Sequence, residues 1–278
     1  MSHRFETGDV TIRYLDWGEG SSRHLILLHG LGSQAHTWDT FGNEVSSSFR
    51  VVAPDLRGHG ESDHSEEGYA PARFIGDVKA LTRSMNLPSF DLVGHSLGAL
   101  IAIGVAAEHP DLVNRLVLED GGPGLDTDAA RGGSIGNFTR PLAFDTLDSA
   151  ISWLQAQNPG LSTRSVEEME QMAKHRMKEN WAGRWVFRHD PELYWIVDDA
   201  PGWSKEDSKQ MWEQLASISC PTLVLRGEES DLLSPEAAGK ITDAIPNATL
   251  VEVPGAGHSI HSGAPDLFRE AVLGFLQE

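Results

Sequence analysis

Six short apolar runs set the frame of this chain: "HLILLHG", "RVVAPD", "FDLVG", "RLVLED", "TLVLRG" and "TLVEVP". Each has the length of a strand, and the most continuous of them, such as "HLILLHG", read as strands buried on both faces. Segments of helical character lie between them, near residues 37–47, 70–86 and 97–108, then from "SPEAAGKITDAI" and finally from Pro265. Such alternation implies a parallel sheet with helices on its faces, because a parallel pair needs a crossover of a dozen or more residues. Two amphipathic stretches, "FETGD" and "VTIRYLDW", come first and read as an opening hairpin.

The alternation breaks between about residues 125 and 212. That stretch holds six of the eight Trp (Trp153, Trp181, Trp185, Trp195, Trp203 and Trp212) and four of the six Met. It carries helical segments such as "SVEEMEQMAKHRMKENW" rather than apolar strands. It therefore reads as a helical cap, residues 125–212, inserted into a core domain made of 1–124 and 213–278. Most of its aromatics are expected to form the cap's own core, since large side chains supply the burial a small insertion needs. Trp153, Trp181, Trp185 and Trp195 are the candidates for facing a substrate pocket.

Composition narrows the classes of function. A chain of 278 residues, 40% hydrophobic, can build one large core, and none of its apolar runs approaches the ~20 residues that span a bilayer. The 41 acidic against 22 basic residues give a net charge of -19, which disfavours nucleic acid and anionic membranes as partners. "MSHRFETGDV" lacks the basic head and apolar stretch of a signal peptide, and Cys220, the single cysteine, cannot form an internal disulfide; a cytoplasmic protein is expected. No Cys/His cluster or His-x-x-x-His spacing suggests a metal site.

The stretch "FDLVGHSLGALIAIG" raises the question of chemistry. Gly-x-Ser-x-Gly is common by accident in a chain with 28 Gly, and serine is a favoured helix N-cap, so the pattern alone proves little. Its context is more specific. A strand ends directly before Ser96, a helix with small residues at Gly98, Ala99, Ala102 and Gly104 follows, and Gly94 and Gly98 stand where side chains would collide in a sharp turn. Such a strand-turn-helix puts the hydroxyl at the carboxyl edge of the sheet, where open α/β sheets bind ligands.

A nucleophilic serine needs a base, and the base an acid. "VPGAGHSIH" follows the last strand and brings His258 to the same edge; His261, nearer the terminal helix, is the weaker choice. "LVLRGEESDLLSPE" places Asp231 just beyond the penultimate strand. Nucleophile, acid and base then occur in the order Ser96, Asp231, His258.

On these residues the chain resembles the α/β-hydrolase superfamily, whose elbow and triad order match. "LLHGLGSQAHTW" is similar to its oxyanion-loop segment, and "VVAPDLRGHGES" to the Asp-x-x-Gly-x-Gly-x-Ser run after its fourth strand. The resemblance implies a mostly parallel eight-stranded sheet flanked by helices, with the helical cap inserted. It also implies an oxyanion hole from the backbone N–H groups of Leu31 and Leu97. Some members carry the acid after the sixth strand, where this chain has Glu119 and Asp120; these are expected instead to face solvent or cap the next turn. His95, His59, Arg57 and His29 are expected to be structural, and Cys220 a small buried apolar side chain.

The reaction implied is hydrolysis of a carboxylic ester, or a lactone, of a small and largely apolar molecule through an acyl-enzyme on Ser96. Such acyl transfer requires neither a metal nor an organic cofactor. "HGLG" in place of an "HGGG" loop argues against the hormone-sensitive-lipase-like branch. Serine rather than Asp argues against epoxide hydrolases and haloalkane dehalogenases. Carbon-carbon hydrolases of ring-cleavage products, which commonly carry Trp after the catalytic His, are the runner-up, because here Ser259 follows. A small-ligand receptor with little turnover is the alternative of another class; a complete Ser, His and Asp set favours the enzyme.

Overall fold

The computed structural model describes residues 1–278 except 19, 126–140, 158–160, 162–163, 194–204 and 278, and the side chains of 205–208 are likewise outside the described residues. The strands of the main sheet are β1 (Ser2–Thr7), β2 (Val10–Trp17), β3 (His24–Leu28), β4 (Arg50–Pro54), β5 (Phe90–His95), β6 (Val113–Glu119), β9 (Thr222–Gly227) and β10 (Ala248–Val253). They form one eight-stranded sheet in the order β1-β2-β4-β3-β5-β6-β9-β10. The β1–β2 and β2–β4 pairs are antiparallel and all later pairs parallel.

The apolar runs are continuous because successive residues feed two different cores. Ile26 and Leu28, Leu92, Leu116 and Leu118, and Val224 face one layer. Leu25 and Leu27, Val93, Val117, and Leu223 and Leu225 face the other. Helices α1 (Asp39–Val45), α2 (Pro71–Ser84) and α3 (Leu97–Glu108) follow β3, β4 and β5 in the chain. Helix α3 is buried from Leu97 to Ala106 apart from Leu100, as expected of a helix apolar on every side. It packs against α2, β5 and β6.

The inserted segment has its own core. Helices α4 (Leu147–Gln157) and α5 (Val166–Arg176) enclose Phe144, Ala150, Leu154, Leu161, Met169, Ala173 and Met177. Helix α5 starts at a capping box in which Ser165 Oγ accepts from the Glu168 N–H and the Glu168 carboxylate accepts from the Ser165 N–H. The helix does not run through "SVEEMEQMAKHRMKENW" as expected. It ends at Arg176, and β7 (Met177–Glu179) pairs antiparallel with β8 (Trp185–Phe187). The turn between them explains the change: Asn180 Oδ1 accepts from the Ala182 and Arg184 N–H groups, and Gly183 sits at φ 73°, a left-handed conformation suited to glycine.

Helix α6 (Lys205–Leu215) packs on α3 and leads back into the sheet. After β9 come α7 (Pro235–Ala244), β10, the short α8 (Ile260–Gly263) and α9 (Pro265–Gln277). Among the described residues no helix is long and apolar enough to cross a membrane.

Candidate active site

Ser96 sits between β5 and α3 at φ 54° and ψ -115°, a backbone conformation that an L-residue holds only under strain. The glycines around it make that turn possible. A Cβ on Gly94 would lie 2.3 Å from the Gly98 carbonyl oxygen, and one on Gly98 would lie 2.3 Å from that of Leu28. Across the turn, a Cβ on Gly30 would come within 3.1 Å of Ser96 Cβ, so the loop after β3 lies directly against the serine. Leu31 follows that glycine, and Leu97 is the first residue of α3, where a backbone N–H has no partner within its helix. These are the two positions expected to supply oxyanion donors.

The carboxylate on His258 is Asp120, not Asp231. His258 Nδ1 lies 2.8 Å from Asp120 Oδ2, and both side chains are buried. Asp120 follows β6 at φ 45° and is fully buried, rather than facing solvent as expected. Its other contacts come from the end of β9, where the Gly227 N–H donates to Oδ1 at 3.0 Å and the Ser230 hydroxyl to Oδ2 at 2.5 Å. Asp231, one residue further on, is exposed. The loop expected to carry the acid thus supplies hydrogen bonds to an acid on the neighbouring strand. With Asp120 accepting from Nδ1–H, the basic nitrogen of His258 is Nε2.

Glu119, also expected at the surface, is fully buried. Its Oε1 accepts from both the backbone N–H and Nδ1 of His261, each at 2.8 Å, and His261 Nε2 lies 2.9 Å from Thr37 Oγ1. Sequence reasoning did not single out Thr37, since nothing in "GSQAHTW" distinguishes its hydroxyl from any loop threonine. His95 does not reach into the chemistry: its Nε2 is 3.1 Å from the His258 carbonyl oxygen and steadies that residue's backbone. Burial, and next the neighbouring His258 and His261, keep His95 neutral well below the ordinary histidine range.

Two further histidines fix the loop after β3. His29 Nδ1 is 2.8 Å from the Gly30 carbonyl, and its Nε2 accepts from the Leu56 N–H at 3.0 Å. His59 Nε2 accepts from the Gly32 N–H at 3.0 Å, with its Nδ1 3.0 Å from the Arg57 carbonyl. Each ring donates once and accepts once, so each must be neutral, and burial lowers His29 to about 4 and His59 well below 6.5. Arg57 is held by Asp77, at 2.7 Å from both Nε and Nη2, and by Asp9. These residues are structural, as expected.

A cavity of about 620 Å3 opens above Ser96 and His258, a size suited to a small organic molecule. Its walls correct two expectations. Trp153, Leu154, Leu161, Met172 and Phe187 make an apolar side, but Arg164, Gln171, His175 and Arg176 also line it, so the pocket is mixed rather than largely apolar. Of the three candidate tryptophans among the described residues, only Trp153 lines it. Trp181 is 99% exposed at the β7–β8 turn, Trp185 packs on the segment's own core, and Trp195, like Trp203, lies outside the described residues. Trp212 packs on the layer of α3. Short aromatic-bearing strands point alternate side chains outward, and sequence alone does not say which.

Among the described residues two triplets bring potential metal ligands within 4.8 Å of one another: His36, Asp39 and His175, and His95, Glu119 and His261. In the first, His36 Nδ1 is 2.9 Å from Asp39 Oδ2 and its Nε2 faces the Arg13 guanidinium at 2.9 Å. A metal on Nδ1 would put a proton on Nε2 against that donor, so this triplet fits an ion poorly.

The site and fold define a hydrolase. The chain belongs to the alpha/beta hydrolase fold family, whose model matches residues 23–265. It is 28% identical to the 3-hydroxybutyrate-oligomer hydrolase of Cupriavidus necator, over 88% of this chain and 86% of that one. An esterase of Mycobacterium tuberculosis is 29% identical over 98% of this chain and 88% of that one, and a crystal structure of an esterase from that organism superposes with a TM-score of 0.79 at 27% identity, covering 100% and 91%. A crystal structure of E-2-(acetamidomethylene)succinate hydrolase superposes with a TM-score of 0.86 at 25% identity, covering 100% of this chain and 99% of that one.

Proposed function

We propose that the chain is a serine hydrolase of small carboxylic esters, with Ser96 as nucleophile, His258 as general base and Asp120 as the acid that orients it. One observation carries the reading: the 2.8 Å bond from His258 Nδ1 to a buried, otherwise satisfied carboxylate leaves Nε2 basic, and His258 and the strained Ser96 line the same cavity. His258 takes the Ser96 proton as the oxygen attacks the ester carbonyl; the imidazolium returns it to the leaving alcohol, and water repeats the cycle on the acyl-enzyme. The N–H groups of Leu31 and Leu97 receive the oxyanion, each such donor being worth about 10²- to 10³-fold in rate. The esterase and oligomer-hydrolase names of two relatives support an ester substrate.

The test is labelling with a fluorophosphonate together with turnover of p-nitrophenyl butyrate. Wild type should label and turn over, and Ser96→Ala should do neither, losing at least about 10³-fold in rate. A Ser96→Ala variant that kept a tenth of wild-type turnover would move the nucleophile elsewhere.

A further inference from the structure

Thr37, His261 and Glu119 repeat the connectivity of a catalytic triad a few residues from the one already described. A carboxylate contacts Nδ1 of an imidazole at 2.8 Å, and Nε2 of the same ring contacts a hydroxyl at 2.9 Å. Thr37, on the 3₁₀ turn Ala35–Trp38, and His261 both line the cavity that holds Ser96. Glu119 is fully buried, its Oε2 has no hydrogen-bond partner, and His261 is the only base within 4 Å of its carboxylate among the described residues. A buried carboxylate needs hydrogen-bond partners, and the backbone N–H and Nδ1 of His261 both meet Oε1. With Nδ1 facing Glu119, His261 Nε2 is left to hold the Thr37 hydroxyl. The ring of Trp38, with its centroid 4.4 Å from that of His261, packs against the imidazole and fixes its place. A hydroxyl carries one donor and two acceptor sites, so with one of them engaged by His261 the Thr37 hydroxyl keeps hydrogen-bonding capacity for a molecule in the cavity.

We propose that Thr37 is a specificity-determining hydrogen-bonding residue for the substrate, with Glu119 and His261 as its positioning residues. The substrate class it selects is an ester carrying a further oxygen near the scissile group, as esters of hydroxyacids do, in preference to a plain alkyl ester. This inference rests on the ester-hydrolase reading of Ser96. The half-buried hydroxyl lines the cavity in which the ester reacts, and a polar group left unmatched there penalises a substrate with nothing to offer it.

Matched substrate pairs that differ by one oxygen test it. We would measure kcat/KM for p-nitrophenyl butyrate against p-nitrophenyl 3-hydroxybutyrate, placing the oxygen on the acyl side, and for ethyl butyrate against 2-hydroxyethyl butyrate, placing it on the alcohol side. Wild type should favour the oxygenated member of at least one pair by about tenfold. Thr37→Val should bring that ratio close to one, Glu119→Gln should lower it, and Thr37→Ser, which keeps the hydroxyl, should retain it. A ratio unchanged in Thr37→Val, or no preference in either pair for a wild type that hydrolyses the plain esters, overturns the inference and leaves the Ser96 reading standing. A wild type that hydrolyses none of the four esters ends both. Should Thr37→Val fail to fold, Thr37→Ala read against Thr37→Ser decides the same point.

Discussion

Glu119 and Asp120 are neighbours in the chain, yet their carboxylates hold two different histidines, His261 and His258 respectively, each at 2.8 Å. Successive side chains at a strand end diverge, and the positive φ of Asp120 turns the second carboxylate under the elbow. Two imidazoles three residues apart are thereby anchored by one dipeptide.

The identity of the acid is the most direct point to check. Asp120→Asn leaves the shape of the side chain but removes the charge that orients His258, and kcat/KM for p-nitrophenyl butyrate should fall by about 10²- to 10⁴-fold. Asp231→Asn, at an exposed position, should stay within about twofold of wild type. The opposite ranking would return the acid to the β9 loop.

Two glycine-to-alanine changes should act in opposite directions. In Gly98→Ala the new Cβ meets the Leu28 carbonyl oxygen at 2.3 Å, a backbone atom that cannot step aside, so the variant should lose about 3 kcal/mol or more, or fail to fold. Gly239 lies within α7 with nothing within 4 Å of an added Cβ, and Gly239→Ala should gain about 0.5–1 kcal/mol. Urea midpoints of the two proteins would decide both.

Stability should fall as the pH drops below neutrality. His29, His59 and His95 have lower pKa values folded than unfolded, so the unfolded chain binds more protons once the pH passes below about 6.5. For His29 the loss accumulates from about 6.5 down to about 4 and reaches roughly 3 kcal/mol at about 1.4 kcal/mol per pH unit. Asp55 and Asp91, whose pKa values burial raises, oppose this on the acid side, so the slope is best read between about pH 7 and 5.5. A urea midpoint that stays flat over that interval would contradict the neutral, buried rings.

The cavity wall should control chain length through one tryptophan. Trp153→Ala enlarges the pocket and should shift the optimum of a p-nitrophenyl ester series toward longer acyl chains, whereas Trp181→Ala, at 99% exposure, should leave the profile unchanged. Equal profiles in both variants would assign Trp153 to the inserted segment's core alone, where it already meets Phe144 and Phe187.

The sheet and the strained turn at Ser96 were legible because their physical requirements are local. A strand buried on both faces must be apolar at every step, and an elbow at positive φ must have glycines where its backbones touch. The acid was not legible, since both Asp120 and Asp231 follow a strand of the right type. What separates them is the φ of Asp120 and the donors of Gly227 and Ser230, which meet it through space across more than a hundred residues. One local trace existed: "EDGG" places Gly121 where an added Cβ would lie 2.6 Å from the Ser96 carbonyl oxygen, a sign that this strand end crowds the elbow. The hairpin at Met177–Phe187 was hidden because strands of three residues are too short to show a period.

The shared grip on Asp120 also changes what is meant by the address of a catalytic group. A side chain from the end of β6 and one from the loop after β9, Ser230, converge on the same point next to His258 Nδ1. The imidazole senses a negative charge at a location in space and is indifferent to which of two adjacent strands delivers it. Because Ser230 and His258 meet on one oxygen of Asp120, the charge is held at the seam between β6 and β9 rather than by either strand alone.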